Sequence, residues 1–351
     1  MTMKIIQADI RRYTTMGIII SVVAALWLLT ACSADDATDQ NAQEELRLEA
    51  WASTRTGGTT NYGNIMAFLS STDGLESQGV FNYYHEIVDE TEKHYWRSQN
   101  LKVKPGTRTF YLYGFMPAEY TGSMNKDAYE LTIENLDPLS DKDICFVTGV
   151  ALSNSELSEA DMNAYHRGKY TFEYKNSDYQ EATYLNLLLE PLFGRLEFKF
   201  MIGPEYYQLR RIKLKEVEID AQAKERLDAT VILPKGLYDE VLVDYTWTGS
   251  VTNNTKELWK ESAGVALTNV ASGPYGGINV AVGKGVDCNL ICTYEVYDLN
   301  NNLLSVRKAT NSLANVMPKM GQKRTVTLTI EPTYLYVLSD QDLDNPTVKI
   351  N

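Results

Sequence analysis

Along most of the chain apolar and polar residues alternate with a period of two, the mark of half-buried strands. Leu46, Leu48, Ala50 and Ala52 alternate with Arg47, Glu49, Trp51 and Ser53. Further strands are predicted at 65–69, 95–103, 109–115, 128–133, 144–150, 170–174 and 184–189, with turn formers such as Asp73-Gly74 and Pro105-Gly106 between them. One short helix is predicted over 155–165, where Ser155 and Ser158 precede acidic residues as N-caps do. At Glu190-Pro191 the ladder is expected to break, because proline has no amide to donate. Leu196, Phe198, Phe200 and Ile202 then alternate cleanly. Over 212–219 the parity slips from Ile212 and Leu214 to Val217 and Ile219, which predicts a β-bulge near Lys215-Glu216. Strands follow at 229–233, 241–247, 278–282, 289–297 and 325–330, with a hairpin at Asn300-Asn301-Asn302. Many short strands with regularly spaced turns predict an all-β chain of β-sandwiches rather than a parallel sheet, with a domain boundary near Pro191.

The N-terminus has another pattern. Lys4, Arg11 and Arg12 precede an apolar run from Met16 to Leu29, too short for a bilayer span, which needs roughly 20 residues. A charged start, a short apolar stretch and small residues at its end compose a secretory signal. Leu29-Thr30-Ala31-Cys32 resembles the bacterial lipobox, which implies cleavage after residue 31 and acylation of the Cys32 thiol with fatty acids such as palmitate. Several acyl chains anchor a protein stably where one is marginal. Asp35, Asp36, Asp39, Glu44 and Glu45 lie in a polar stretch that buries too little apolar surface to fold, so 32–45 reads as an acidic tether. An acidic run just behind the lipid cysteine also resembles the surface-export signal of Bacteroidetes lipoproteins.

Loss of residues 1–31 takes away Lys4, Arg11, Arg12 and Asp9, a net of +2, and moves the formal charge from −13 to −15. So acidic a chain does not suit nucleic acid, whose phosphates call for Lys and Arg clusters, and does not grip an anionic membrane by charge. About 320 mature residues exceed one comfortable core, so two domains are expected, at 46–191 and 192–351. The 23 Tyr favour strands and recognition surfaces. With Cys32 lipidated, Cys145, Cys288 and Cys292 remain, an odd number that reads as buried thiols rather than a disulfide set.

The side chains offer little chemistry. His85, His94 and His166 are the only histidines and sit in no metal or nucleophile motif, so no enzyme, no cofactor and no metal is expected. Asp340, Asp342 and Asp344 alternate and offer oxygens to a calcium ion, but no later glutamate completes such a loop and Pro346 intrudes, so a solvated turn is the reading taken. Phe81-Asn82-Tyr83-Tyr84 and Tyr95-Trp96 read as strand core or rim, with sugar stacking as the alternative.

Four stretches carry a family resemblance. They are Thr109-Phe110-Tyr111-Leu112-Tyr113-Gly114-Phe115-Met116-Pro117, Asp143-Ile144-Cys145-Phe146-Val147-Thr148-Gly149, the joining stretch from Leu185 to Phe198, and the ending from Pro332 to Asp340. Together they resemble the fimbrillin family of Bacteroidetes, pilus-forming surface lipoproteins; Cys145 stands where the family usually has a bulkier aliphatic. The resemblance implies two tandem transthyretin-like Greek-key β-sandwich domains and export to the outer membrane by the lipid anchor. It also implies a cut by an arginine-specific protease that frees the first strand and leaves a groove in the N-terminal domain. A C-terminal strand of another fimbrial subunit then fills the groove, giving a head-to-tail polymer. Arg55 fits the cut, since it follows the first strand and precedes Thr56-Gly57-Gly58-Thr59-Thr60; Arg47, inside the strand, is the second candidate. The donor would be Tyr334, Leu335, Tyr336, Val337 and Leu338 within the segment 332–351, apolar on both faces. The expected function is that of a subunit of a surface fimbrium acting in adhesion. The alternative is a monomeric, anchored lipoprotein that binds a glycan or a host protein receptor.

Overall fold

The structure is a computed structural model and describes residues 44–45, 48–54, 63–72, 74–103, 108–153, 157–158, 161, 167–174, 183–281, 287–332, 343–344 and 346–351. The chain divides into two compact units, Met1–Glu44 and Glu45–Asn351; apart from Glu44, the described residues belong to the second. The strands in chain order begin with β1 (Glu44–Glu45), β2 (Leu48–Thr54), β3 (Ile65–Ser71), β4 (Gly74–Val88) and β5 (Thr91–Gln99). Next come β6 (Lys102–Val103), β7 (Arg108–Met116), β8 (Gly122–Asn125), β9 (Glu130–Leu136), β10 (Leu139–Ser140) and β11 (Cys145–Leu152). After β12 (Thr171–Tyr174), β13 (Thr183–Pro191) and β14 (Gly194–Ile202) lie the long β15 (Arg211–Ile232) and β16 (Leu242–Ala266). β17 (Gly277–Val280), β18 (Asp287–Tyr297), β19 (Leu303–Ser312), β20 (Lys323–Glu331) and β21 (Thr347–Ile350) complete the series.

The chain is all-β with several sheets, as the alternation predicts. One sheet of eight strands has the order β11-β13-β2-β5-β4-β3-β7-β12. Because β11 also pairs with β7 through Cys145↔Met116 and Phe146↔Phe115, this sheet closes on itself and only β12 stands outside the ring. Inside lies one core, with Phe81, Trp96, Phe110, Leu112 and Leu187 among its buried side chains. A six-stranded sheet (β19-β18-β15-β9-β8, with β16 on β15) and a five-stranded sheet (β10-β17-β14-β20-β21) enclose a second core around Phe193, Phe198, Phe200 and Tyr294.

Strand β7 lies between the two. Phe110, Leu112 and Met116 face the first core, and Tyr113 and Phe115 face the second. Burial on both faces explains why 110–116 reads as a nearly unbroken apolar run rather than an alternation. Residues of β9 and β10, well before Pro191, pair with β15 and β17, well after it, so the second core draws on both halves of the chain.

The slip of parity at 212–219 is a true bulge: the ladders from β15 to both β16 and β18 shift register between Leu214 and Glu216. β13 ends on Pro191 as expected. Strands β4 and β19 are not predicted, because among their described residues only Phe81 is buried, so alternation has little core to answer to. β16 runs past Trp247 to Ala266 for the same reason. The helix expected over 155–165 lies mostly outside the described residues; within it the Asp161 amide donates to Ser158 Oγ at 3.2 Å, an N-cap bond. The described cysteines Cys145, Cys288 and Cys292 are free and buried, as their odd number implied.

Candidate functional site

Strand β2 is the first long strand of the second unit and lies inside the closed sheet between β13 and β5. It runs parallel to β13 over its whole length, from Thr183↔Leu48 to Leu189↔Thr54, and antiparallel to β5 at Glu49↔Arg97 and Ala50↔Trp96. Parallel neighbours cannot be joined by a tight turn, so the whole intervening chain separates the two partners. The five-stranded sheet repeats the device, with β14 parallel to β20.

The side chains of β2 are small where they meet the core. Leu48 and Ala50 are buried and Ala52 is half-buried against the core, with Ala50 opposite Leu185 and Ala52 opposite Leu187 in the ladder. On the other face Glu49 pairs with Arg97 at 3.0 Å, and Trp51 stacks on Tyr184 with ring centroids 5.5 Å apart. One leucine and two alanines contribute about 3–5 kcal/mol of apolar burial, little for an interior strand. A strand with larger side chains would gain more from the same slot.

The end of the chain is held within its own sheet. β21 pairs antiparallel with β20 through Leu328↔Ile350 and Ile330↔Val348, and Val348 is buried. Tyr294 Oη donates to the Pro346 carbonyl at 2.8 Å, and Arg210 Nη2 lies 2.9 Å from the Asp344 carboxylate. Asp344 is therefore engaged by a cation of the protein's own.

Beside the closed sheet an open cleft of about 760 Å³ is lined by carboxamides (Asn64, Asn82, Gln99 and Asn100), with Tyr83, Glu119, Lys142 and Asp143 around them. Tyr83 N donates to Asn64 Oδ1 at 3.0 Å, tying β4 to the residue that precedes β3. Asp143 is largely buried, and burial pushes its carboxyl up to about 6; the nearby Arg195 guanidinium and a hydrogen bond from the Cys145 thiol pull the other way and do not prevail. Burial also pushes the thiols up, to about 12 at Cys288 and Cys292, so they pack as small hydrophobes and not as nucleophiles.

Of the residues singled out in the sequence, Cys32, Arg47, Arg55, Tyr334, Leu335, Tyr336, Val337, Leu338, Asp340 and Asp342 lie outside the described residues. What the structure adds is the setting of the first strand, its parallel pairing and its small core-facing residues. Alternation over 46–53 pointed to the strand but carried no information about its neighbours. The cleft had no signal in the sequence, because its residues come from five separate segments.

No family model matches the chain, and no curated protein does. Solved structures similar to it include a fimbrial protein from Bacteroides vulgatus, 11% identical, with 88% of this chain and 98% of that one covered and a TM-score of 0.41. A fimbrial assembly protein from Parabacteroides distasonis is 8% identical, covers 88% of this chain and 100% of its own, and gives a TM-score of 0.38. The fimbrial anchor protein Mfa2 from Porphyromonas gingivalis is 10% identical over 88% and 98%, with a TM-score of 0.31. The solved structures similar to the chain are thus fimbrial proteins and candidate adhesins of Bacteroidetes, the group of the sequence resemblance. At these TM-scores function has to be argued from the chain's own residues.

Proposed function

We propose that the chain is a structural subunit of a cell-surface fimbrium, assembled by strand exchange and acting in adhesion. In this reading it is exported, acylated at Cys32 and held at the outer membrane, and is then cut after Arg55 by an arginine-specific protease. It comprises two transthyretin-like sandwich domains, one around each core. Release of β2 opens the ring between β5 and β13, and a Tyr334–Leu338 segment from another subunit enters the gap, giving a head-to-tail polymer. The observation that carries the proposal is the weak hold of β2 on the core, through Leu48, Ala50 and Ala52 in an otherwise continuous ring. An open gap would expose two rows of unpaired backbone groups, which an added strand satisfies.

The test is limited digestion of the purified chain with an arginine-specific protease. The expected result is a product beginning at Thr56 that then forms ladders on a gel, and a native N-terminus that mass spectrometry finds acylated at Cys32. A chain that resists cutting, or stays monomeric once cut, overturns the exchange mechanism.

The cleft favours a second reading. Four carboxamides beside a tyrosine suit the hydroxyls and apolar face of a sugar, so an anchored monomer binding a glycan there is the alternative. Glycan binding lost on Asn82→Ala, in a chain that never polymerises, would favour it.

A further inference from the structure

We propose that His85, Glu92 and His94 form a binding site for a zinc-class divalent cation on the exposed face of the β4–β5 hairpin. Two of the chain's three histidines meet here, directly opposite each other in the ladder as the pair His85↔His94. Their rings lie parallel, with centroids 4.8 Å apart and an interplanar angle of 9°. Glu92 is two residues before His94 on the same strand, hence on the same face. Its carboxylate lies 3.6 Å from His94 Nε2 and 4.0 Å from His85 Nε2.

One ligand atom from each of the three residues falls within 4.8 Å of the others, and this is the one such group of donors among the described residues. A tetrahedral zinc ion with bonds near 2.1 Å sets its ligand atoms about 3.4 Å apart. The present spacings come down to that by small side-chain rotations, which are free at His85 and Glu92 because both are exposed. Two imidazoles and a carboxylate suit zinc and its first-row neighbours better than calcium or magnesium, which favour oxygen. A fourth position stays open to water.

The surroundings are those of a supported ligand. His94 Nδ1 and Tyr83 Oη lie 2.6 Å apart, which leaves Nε2 as the nitrogen facing Glu92 and His85. The Tyr83 ring stacks on the His94 ring at 6.0 Å and 11°, fixing its plane. Such an outer contact orients a metal-bound imidazole and sets its tautomer. The described cysteines, Cys145, Cys288 and Cys292, are buried and offer no exposed soft donor to compete for the ion.

The position gives the ion a purpose. Strand β3 pairs with β4 only as far as Phe81, and β2 pairs with β5 only at Trp96 and Arg97. From Tyr84 to Val88, β4 is paired with β5 alone and the facing residues of β5 have no ladder to β2, so this part of the hairpin is a two-stranded ribbon, which is marginal by itself. A cation held across His85 and His94 would staple the two strands where no third strand supports them.

The experiment is calorimetric titration of zinc into the untagged, chelator-stripped full chain in a non-coordinating buffer. One zinc per chain is expected. His85→Ala, His94→Ala and Glu92→Gln should each weaken binding by about tenfold or more, and Tyr83→Phe by roughly tenfold through the lost outer contact. His166→Ala should leave binding unchanged. Zinc should raise the melting temperature of the parent and not that of His94→Ala. Absence of stoichiometric binding up to millimolar zinc overturns the proposal, as does binding that persists in the His85→Ala/His94→Ala double variant. If circular dichroism shows that the alanine variants have lost the β-fold, the near-isosteric Glu92→Gln decides: unchanged affinity there rejects the site.

Discussion

Replacing Asp143 by asparagine removes a charge that the fold accommodates at a cost. The carboxyl is about 8% exposed, and burial raises it from an ordinary carboxylate value to about 6 in the folded chain. In the unfolded chain it titrates near 4, so the two states differ by about two pH units, or about 3 kcal/mol at 1.36 kcal/mol per unit. The sign follows from which state holds the proton more tightly. Below about pH 4 the group is neutral in both states and costs nothing. As pH rises through the unfolded value and on through about 6, the unfolded chain gains from ionising first, and folded stability is lost. Asp143→Asn keeps the shape and can still accept from the Cys145 thiol, but cannot ionise. The variant should therefore be about 3 kcal/mol more stable relative to the parent at pH 8 than at pH 3.5, with most of the change between pH 4 and pH 6. Urea unfolding followed by tryptophan fluorescence at four or five pH values measures it. A stability difference that stays constant across that range would show that burial does not govern this carboxyl. A parent that gains stability over the variant as pH rises would show that Arg195 outweighs burial.

Three further substitutions probe the packing that supports the closed sheet. Arg167 Nε lies 2.9 Å from Glu190 Oε1, with both side chains about 10% exposed, so Arg167→Met should remove the opposite charge from a buried carboxylate and cost about 3–5 kcal/mol in urea unfolding. The added Glu190→Gln should recover part of that loss; a double variant no more stable than the single one argues against the ion pair. Trp96 is fully buried and its Nε1 donates to the Gly63 carbonyl at 2.8 Å, so Trp96→Phe should cost about 2–4 kcal/mol by thermal melting, through the lost bond and the space left behind. A Cβ on Gly114 would sit 2.5 Å from the Met66 carbonyl oxygen across the β3–β7 ladder, so Gly114→Ala should cost about 1–3 kcal/mol; a neutral result would mean that the two strands part easily.

The legibility of the sequence followed the location of the water. Where one face of a strand meets a core, alternation found it, and at Leu214–Glu216 it found the bulge as well. Strands with both faces buried, such as β7, were legible through composition rather than period. The ribbon of β4 and β5 was legible only in part, because no core lies under it beyond Phe81 and Trp96 to impose a pattern. Pairing partners were not legible at all. That β2 meets β13 some 130 residues later, and in parallel, depends on the whole path between them. The two histidines of the cation site carry no signal singly, since a cross-strand pair acquires meaning only once the register is known.

The closure of the ring and the composition of β2 belong together. If β2 leaves, β13 and β5 lose a neighbour, yet the remaining ring strands stay joined to one another by the ladders from β5 through β4, β3 and β7 to β11 and β13. The core opens along one seam only, and the strands on either side of it are each secured by another partner. An interior strand bearing large β-branched residues would make that opening prohibitively costly, whereas Leu48, Ala50 and Ala52 make it modest. In the proposed exchange the two alanines would limit how tightly β2 is held. Substituting Ala50 by valine should oppose release by adding buried methyl groups, and should slow polymerisation after cutting while leaving the cut itself unaffected. If Ala50→Val assembles as fast as the parent in a light-scattering time course, the hold of β2 on the core does not set the rate, and the small residues need another explanation.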